Sequence, residues 1–227
     1  SRDGTSVWVA KHADAWIAVV GLPLSAAPGE HSVTVTSNGA TQAVPFNVKD
    51  KRYPVQHVTI KDNAMVEPPA EVIARIEAES AHLKTVRSTW REEASTSAAF
   101  VLPAKGRLSG RFGGSRVLNG KPRAPHAGLD VAIGTGTPVV APSDGVVLDV
   151  GDYYFCGKTM FIDHGNGLLS LFCHLSEHTA KVGDRVSKGQ SVARSGATGR
   201  ASGPHLHWSV YLNGVSVEPE LFIAARR

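Results

Sequence analysis

Four histidines and one aspartate are spaced in a way that could do chemistry. His126 and Asp130 form His-x-x-x-Asp at the entry to a predicted strand, and His205 and His207 form His-x-His within another. Alternate residues of a strand point to one face, so His205 and His207 project into one space. His174 lies between the two pairs in sequence, near the end of a third predicted strand. A catalytic zinc takes three protein ligands from imidazole, thiolate or carboxylate and keeps a fourth position for water, and two histidines with one aspartate supply such a set. Hydrolysis also needs a base for the proton transfers. No His-Glu-x-x-His occurs, so the helical metalloprotease design with a glutamate base is absent, and a histidine base is the natural substitute. A Ser–His–Asp mechanism lacks its Gly-x-Ser-x-Gly elbow. His-x-His alone is more often a packed or chance pair. With His-x-x-x-Asp and a third histidine added, the balance shifts to a metal site.

The elements that must position these groups are mostly strands. Val7-Trp8-Val9, Trp16 to Val20, the alternating His31 to Thr36, Ala43 to Val48 and Val55 to Ile60 read as short strands, with a hairpin turn at Ser37-Asn38-Gly39. Together they predict a small sandwich. Over 71–93 the period becomes helical, with Val72, Ile76, Leu83, Val86 and Trp90 on one stripe, Pro68-Pro69 opening it and Ser95-Thr96-Ser97 closing it. From Phe100 the chain is Gly-rich β again. Gly145 to Leu148, Thr159 to Asp163, Leu168 to Leu175 and His205 to Tyr211 are the main strands, and Gly165-Asn166-Gly167 is a hairpin turn. Trp16 and Trp90 are expected in the core, and Trp208 behind the His205/His207 face.

The 227 residues carry 24 Lys+Arg against 20 Asp+Glu, a net charge of +4, with no dense basic stripe, which argues against a nucleic-acid partner. The longest apolar stretch, Ala15 to Ala27, is broken by Pro23 and too short to span a bilayer. Cys156 and Cys173 flank the Gly165-Asn166-Gly167 turn, and either a cross-strand disulfide or two buried thiols fits them. Arg111, Arg116 and Arg123 precede His126 and could bind a substrate carboxylate or form a solvated basic loop. His164 reads as a structural hydrogen-bonding residue at the turn.

The C-terminal half resembles the lysostaphin-type (LytM-type) zinc metallopeptidases. The matching stretches include Ser109-Gly110-Arg111-Phe112-Gly113, Pro125-His126-Ala127-Gly128-Leu129-Asp130, Ile162-Asp163-His164-Gly165-Asn166-Gly167 and Cys173-His174-Leu175. They continue through Gly196-Ala197-Thr198-Gly199 to Gly203-Pro204-His205-Leu206-His207, in order over roughly 107–220. The resemblance implies Zn2+ as cofactor, His126, Asp130 and His207 as its ligands, and His174 and His205 as catalytic histidines. It also implies a zinc-activated water, a histidine general base, and peptidoglycan as the partner. A D-Ala–meso-diaminopimelate cross-link is then the expected bond. Phe172 stands where many relatives carry tyrosine, so a hydroxyl would be lost, and Trp208-Ser209 replaces a common aromatic-Glu pair. The segments 52–60 and 66–69 more faintly resemble the extra N-terminal β domain of some exported Gram-negative members.

The expected fold is mainly β. It has an immunoglobulin-like N-terminal sandwich over 1–66, a linking helix over 67–97 and an antiparallel-β peptidase domain over 98–227. The expected location is the periplasm or cell envelope of a Gram-negative bacterium. The alternative function is a non-catalytic wall-binding or activator protein that keeps the fold.

Overall fold

The computed structural model of the chain describes residues 4–37 and 39–223. It is mainly β, as the sequence pattern predicts. Strands β1 (Trp8–His12) and β2 (Ala15–Val19) form one antiparallel hairpin. Strands β3 (Gly29–Ser37) and β4 (Ala40–Val48) form another, with Ser37 opposite Ala40; Asn38 of the predicted turn lies outside the described residues. These strands pair as two separate antiparallel ladders. Pro45 in β4 donates no ladder hydrogen bond, which suits an edge strand. Trp16, expected in the core, is 72% exposed on β2, whereas Trp8 on β1 is buried against the main core.

Strand β5 (Val55–Val58) leads to helix α1 (Ala70–Arg87) and then to β6 (Arg107–Gly110), β7 (Ser115–Leu118) and β8 (Lys121–Arg123). β5 runs parallel to β7, with Val55 opposite Ser115, so the N-terminal segment is stitched to the C-terminal half by a backbone ladder. The inward stripe of α1 is the predicted one: Val72, Ile76 and Leu83 are half-buried and Val86 is buried. The helix nevertheless stops at Arg87, short of the predicted Ser95-Thr96-Ser97. Beyond it, Arg91 donates from Nε to Asp163 Oδ2 at 2.7 Å, and its carbonyl accepts the Asn166 N–H at 2.7 Å. These bonds draw the chain onto the hairpin turn and off the helix axis. Trp90 therefore lies past the helix, 37% exposed and against Gly167.

The remaining strands are β9 (Leu129–Ala132), β10 (Pro138–Val140), β11 (Gly145–Tyr153), β12 (Gly157–Asp163) and β13 (Leu168–His178). They are followed by β14 (Arg185–Val186), β15 (Ser191–Ser195), β16 (Leu206–Leu212) and β17 (Val215–Val217). One sheet runs β14-β11-β12-β13-β16-β9-β6, with β15 and β10 attached through β13 and β17 through β16. Its two faces are sorted by the period of two. Leu168 and Phe172 of β13, and Leu206, Trp208, Val210 and Leu212 of β16, enter the main core with Leu129 and Val131. Leu169, Leu171, Cys173 and Tyr211 face the other way and meet Val86 and Leu83 of α1. Trp208 thus packs behind the His207 face, as alternation predicts. Phe172 is fully buried in the same core, so a hydroxyl at this position would point away from the histidines. Cys156 and Cys173 are free thiols, Cys173 buried and Cys156 half-buried. No helix among the described residues is long and apolar enough to cross a membrane.

His164 has the structural place expected of it. Its Nδ1–H donates to the Asp144 carbonyl at 2.8 Å. Its Nε2 faces the Ser170 hydroxyl at 2.9 Å, and that oxygen accepts the Trp208 indole N–H at 3.2 Å. Burial outweighs these partners and pushes the His164 pKa from 6.5 down to about 4. A folded-state pKa below the unfolded one means that stability is fully present above 6.5 and is lost as pH falls toward 4. Denaturant unfolding across this window should show wild type losing about 1.4 kcal/mol per pH unit more than His164→Gln. Parallel pH profiles would remove His164 as a source of acid sensitivity.

Candidate metal centre

The strand register assembles the centre. Asp130 of β9 is paired with His207 of β16, and His207 with Cys173 of β13, so one rung crosses three strands. His126 sits just before β9. Its Nδ1–H donates to the Arg111 carbonyl at 3.0 Å, which fixes the tautomer and leaves Nε2 with a lone pair. That Nε2 lies 3.0 Å from Asp130 Oδ1 and 3.0 Å from His207 Nδ1, and His207 Nδ1 lies 2.8 Å from Asp130 Oδ1. The other His207 nitrogen, Nε2, is bonded to Ser209 Oγ at 2.8 Å. The other Asp130 oxygen, Oδ2, accepts from Arg116 Nη2 at 2.7 Å.

This donor set fits a metal ion. His126, Asp130 and His207 are all buried, and each offers one ligand atom within 4.8 Å of the others. No other group of three histidine, cysteine or acidic side chains meets that condition among the described residues. His126 Nε2 and the Asp130 carboxylate are both electron-pair donors, and a cation between them relieves their repulsion. Two N and one O ligand in buried, pre-oriented positions suit zinc, and the contacts to Arg111, Ser209 and Arg116 are the outer partners such sites use. Burial alone would raise the Asp130 carboxyl, but the adjacent His126 and His207 rings, which donate to it whenever a proton sits on the facing nitrogen, hold it well below the usual carboxylate range. Burial pushes His207 down to about 4 against the pull of Asp130, which keeps its ring uncharged near neutral pH. Two glycines make the close approach possible. A Cβ at Gly110 would fall 2.4 Å from Asp130 Oδ2, and one at Gly128 would fall 2.6 Å from Ser209 Oγ and 2.8 Å from the His207 ring.

His174 and His205 stand beside these three. In the β12–β13 ladder, Lys158 pairs with Leu175 and Met160 with Phe172, so Cys173 and His174 together oppose Thr159. His174 occupies this bulge at φ +61°, an uncommon conformation for a non-glycine residue, and the bulge turns its side chain toward the site. Its Nδ1–H donates to the Thr198 carbonyl at 2.8 Å. His205 likewise donates from Nδ1–H to the Gly203 carbonyl at 2.8 Å, and its Nε2 lies 3.9 Å from Asp130 Oδ1. Both rings therefore present Nε2 as an acceptor, 4.6 Å apart between ring centres. Burial, then the neighbouring His205 and His207, push His174 down to about 3, so it is uncharged near neutral pH. The five predicted side chains thus come together in one place. Asp130, His174 and His205 open onto a groove of about 450 Å³, which Gln56 to Ile60 also line.

Comparison with known proteins finds relatives over the whole chain. A crystal structure of a candidate peptidase M23 from Pseudomonas aeruginosa superposes over 100% of this chain and 87% of its own, with TM-score 0.81 and 36% identity. Residues 124–219 match the model of Peptidase family M23, and residues 2–51 match the Peptidase family M23 N-terminal domain. The chain belongs to peptidase family M23. Among curated M23 relatives, the peptidoglycan DD-endopeptidase ShyA of Vibrio cholerae is 39% identical over 116 residues, 51% of this chain and 27% of ShyA. The DD-carboxypeptidase/endopeptidase Mpg of Neisseria meningitidis is 40% identical over 94 residues, 41% of this chain and 22% of Mpg. The matched region thus spans about a quarter of the length of these curated relatives.

Sequence spacing did not reveal the groups that orient this M23 site. Three are backbone carbonyls, of Arg111, Thr198 and Gly203, which no side-chain pattern marks. Ser209 could have been found, because it lies two residues from His207 on the same strand face. The expected arginine cluster is dispersed: Arg111 pairs with Glu220, Arg123 bonds the Val66 carbonyl, and only Arg116 reaches Asp130. Metal analysis after gel filtration in zinc should find about one ion per wild-type chain and well under a tenth in His207→Ala or Asp130→Ala. Full occupancy in His207→Ala would break the ligand assignment.

Proposed function

We propose that this chain is a zinc endopeptidase that cuts peptide cross-links in bacterial peptidoglycan, at the D-Ala–meso-diaminopimelate bond. The observation that carries this reading is the convergence of two imidazole nitrogens and one carboxylate oxygen beside two further histidines on an open groove. The names of ShyA and Mpg support the substrate class and the D,D-specificity. On this reading residues 98–227 form the catalytic part, with Gln56 to Ile60 supplying a groove wall, and the protein works outside the cytoplasm in a Gram-negative envelope.

Bound zinc would supply Lewis-acid polarisation of the scissile carbonyl and lower the pKa of a water. The chain supplies the rest. His205 Nε2 stands 3.9 Å from Asp130 Oδ1, and it is the base that takes the proton of the attacking water. The Gly203 carbonyl holds the other end of its ring and stabilises the imidazolium that results. The same Nε2 then returns the proton to the leaving amine. His174, held uncharged by burial and in the same tautomer by the Thr198 carbonyl, accepts a second hydrogen bond and orients the nucleophile. The Arg116 contact to Oδ2 fixes the Asp130 carboxylate in direction.

Incubation with purified Gram-negative sacculi, followed by muropeptide mass analysis, should convert cross-linked dimers to monomers. Chelator should abolish the conversion. His205→Ala should retain zinc and lose about 10²–10⁴-fold in rate, the range general acid–base catalysis supplies. Bound zinc with no chelator-sensitive conversion would refute the proposal and favour a wall-binding role.

A further inference from the structure

The groove holds a second cationic side chain that the reaction above does not use. Arg200 lines it with Arg116, His174 and His205. The Arg200 guanidinium lies over the Phe155 ring at 4.3 Å, and its Nη1 reaches the Met65 carbonyl at 3.4 Å. These contacts hold the planar head in place but do not neutralise it. Among the described residues Arg200 forms no ion pair, while Arg111, Arg75 and Arg91 each have a carboxylate partner. Arg116 is close enough to repel it, and burial adds to the cost of its charge. The Nε of Arg116 is itself buried without a hydrogen-bond partner. Two half-buried guanidiniums with one carboxylate between them leave the groove an anion short. Desolvated charge without a partner is costly, and a bound anion would relieve it. A guanidinium held over an aromatic ring with free N–H groups is suited to bidentate capture of a carboxylate.

We propose that Arg200 is a specificity residue that binds a free carboxylate of the substrate peptide next to the scissile bond, with Arg116 adding positive charge. The assignment rests on the cross-link reading above, in which the leaving amine carries a carboxylate on the adjacent carbon. Arg200 shares the groove with His205, the group that hands the proton to that amine. Binding of the carboxylate on this side sets the direction in which the peptide lies across the centre. It also explains why peptides without that carboxylate would be poor ligands.

The test uses a meso-diaminopimelate tripeptide, which is the product side of the bond and is not itself cleaved. Its carboxylate next to the free amine is left intact in one sample and converted to carboxamide in the other. Isothermal titration of the zinc-loaded protein should show the carboxylate form binding at least about 10-fold tighter, as a charge-assisted bidentate pair would give. Arg200→Gln should reduce that preference below about 3-fold without weakening the carboxamide form, and Arg200→Lys should restore part of it. Equal binding of the two forms to wild type, no binding of either, or equal weakening of both in Arg200→Gln would overturn the assignment. Digestion of sacculi by the same wild-type sample separates the two claims. Failure there refutes the hydrolase reading, while the titration alone decides the carboxylate site.

Discussion

A single carboxylate ties the site together. Asp130 Oδ1 faces His126 and His207, and Oδ2 is held by Arg116. Neither oxygen is free, and the group is almost wholly removed from water. A buried carboxylate is costly unless opposite charge and hydrogen bonds compensate it. The surrounding backbone is arranged to bring them. β9 and β16 place Asp130 opposite His207, and Gly110 and Gly128 leave room for the contacts. β5 runs along β7, the strand that carries Arg116, so even the N-terminal segment bears on the position of this carboxylate.

Two ways of aiming a histidine are used side by side. His207 is aimed by regular alternation, which turns it from the core that Leu206 and Trp208 enter. His174 would follow Leu168 and Phe172 into that core if β13 were regular. The bulge opposite Thr159 and the left-handed backbone at His174 redirect it to the groove. Backbone strain of this kind persists where the surrounding structure enforces it, and such positions cluster at functional sites. The carbonyls of Arg111, Thr198 and Gly203 then fix which nitrogen each ring offers.

Much of this was legible in the residues. Strand alternation placed His207 and Trp208 on opposite faces, Gly165-Asn166-Gly167 turned where expected, and Val72, Ile76, Leu83 and Val86 marked the buried side of α1. What escaped was set by long-range contacts. The helix ends early because Arg91 is captured by Asp163, 72 residues away. Trp16 is exposed because its hairpin turns Trp8 to the core, a choice that local hydrophobicity does not encode. Arg116 was one of three similar arginines in sequence, and only the fold brings it to Asp130.

The central claim is that His126, Asp130 and His207 hold one metal ion while His174 and His205 stay free to move protons. Anomalous diffraction at the zinc edge from crystals of the zinc-loaded protein tests it most directly. The account predicts one strong peak bonded to His126 Nε2, Asp130 Oδ1 and His207 Nδ1. A peak bonded to His174 or His205, or to the Cys156 and Cys173 thiols, would contradict it.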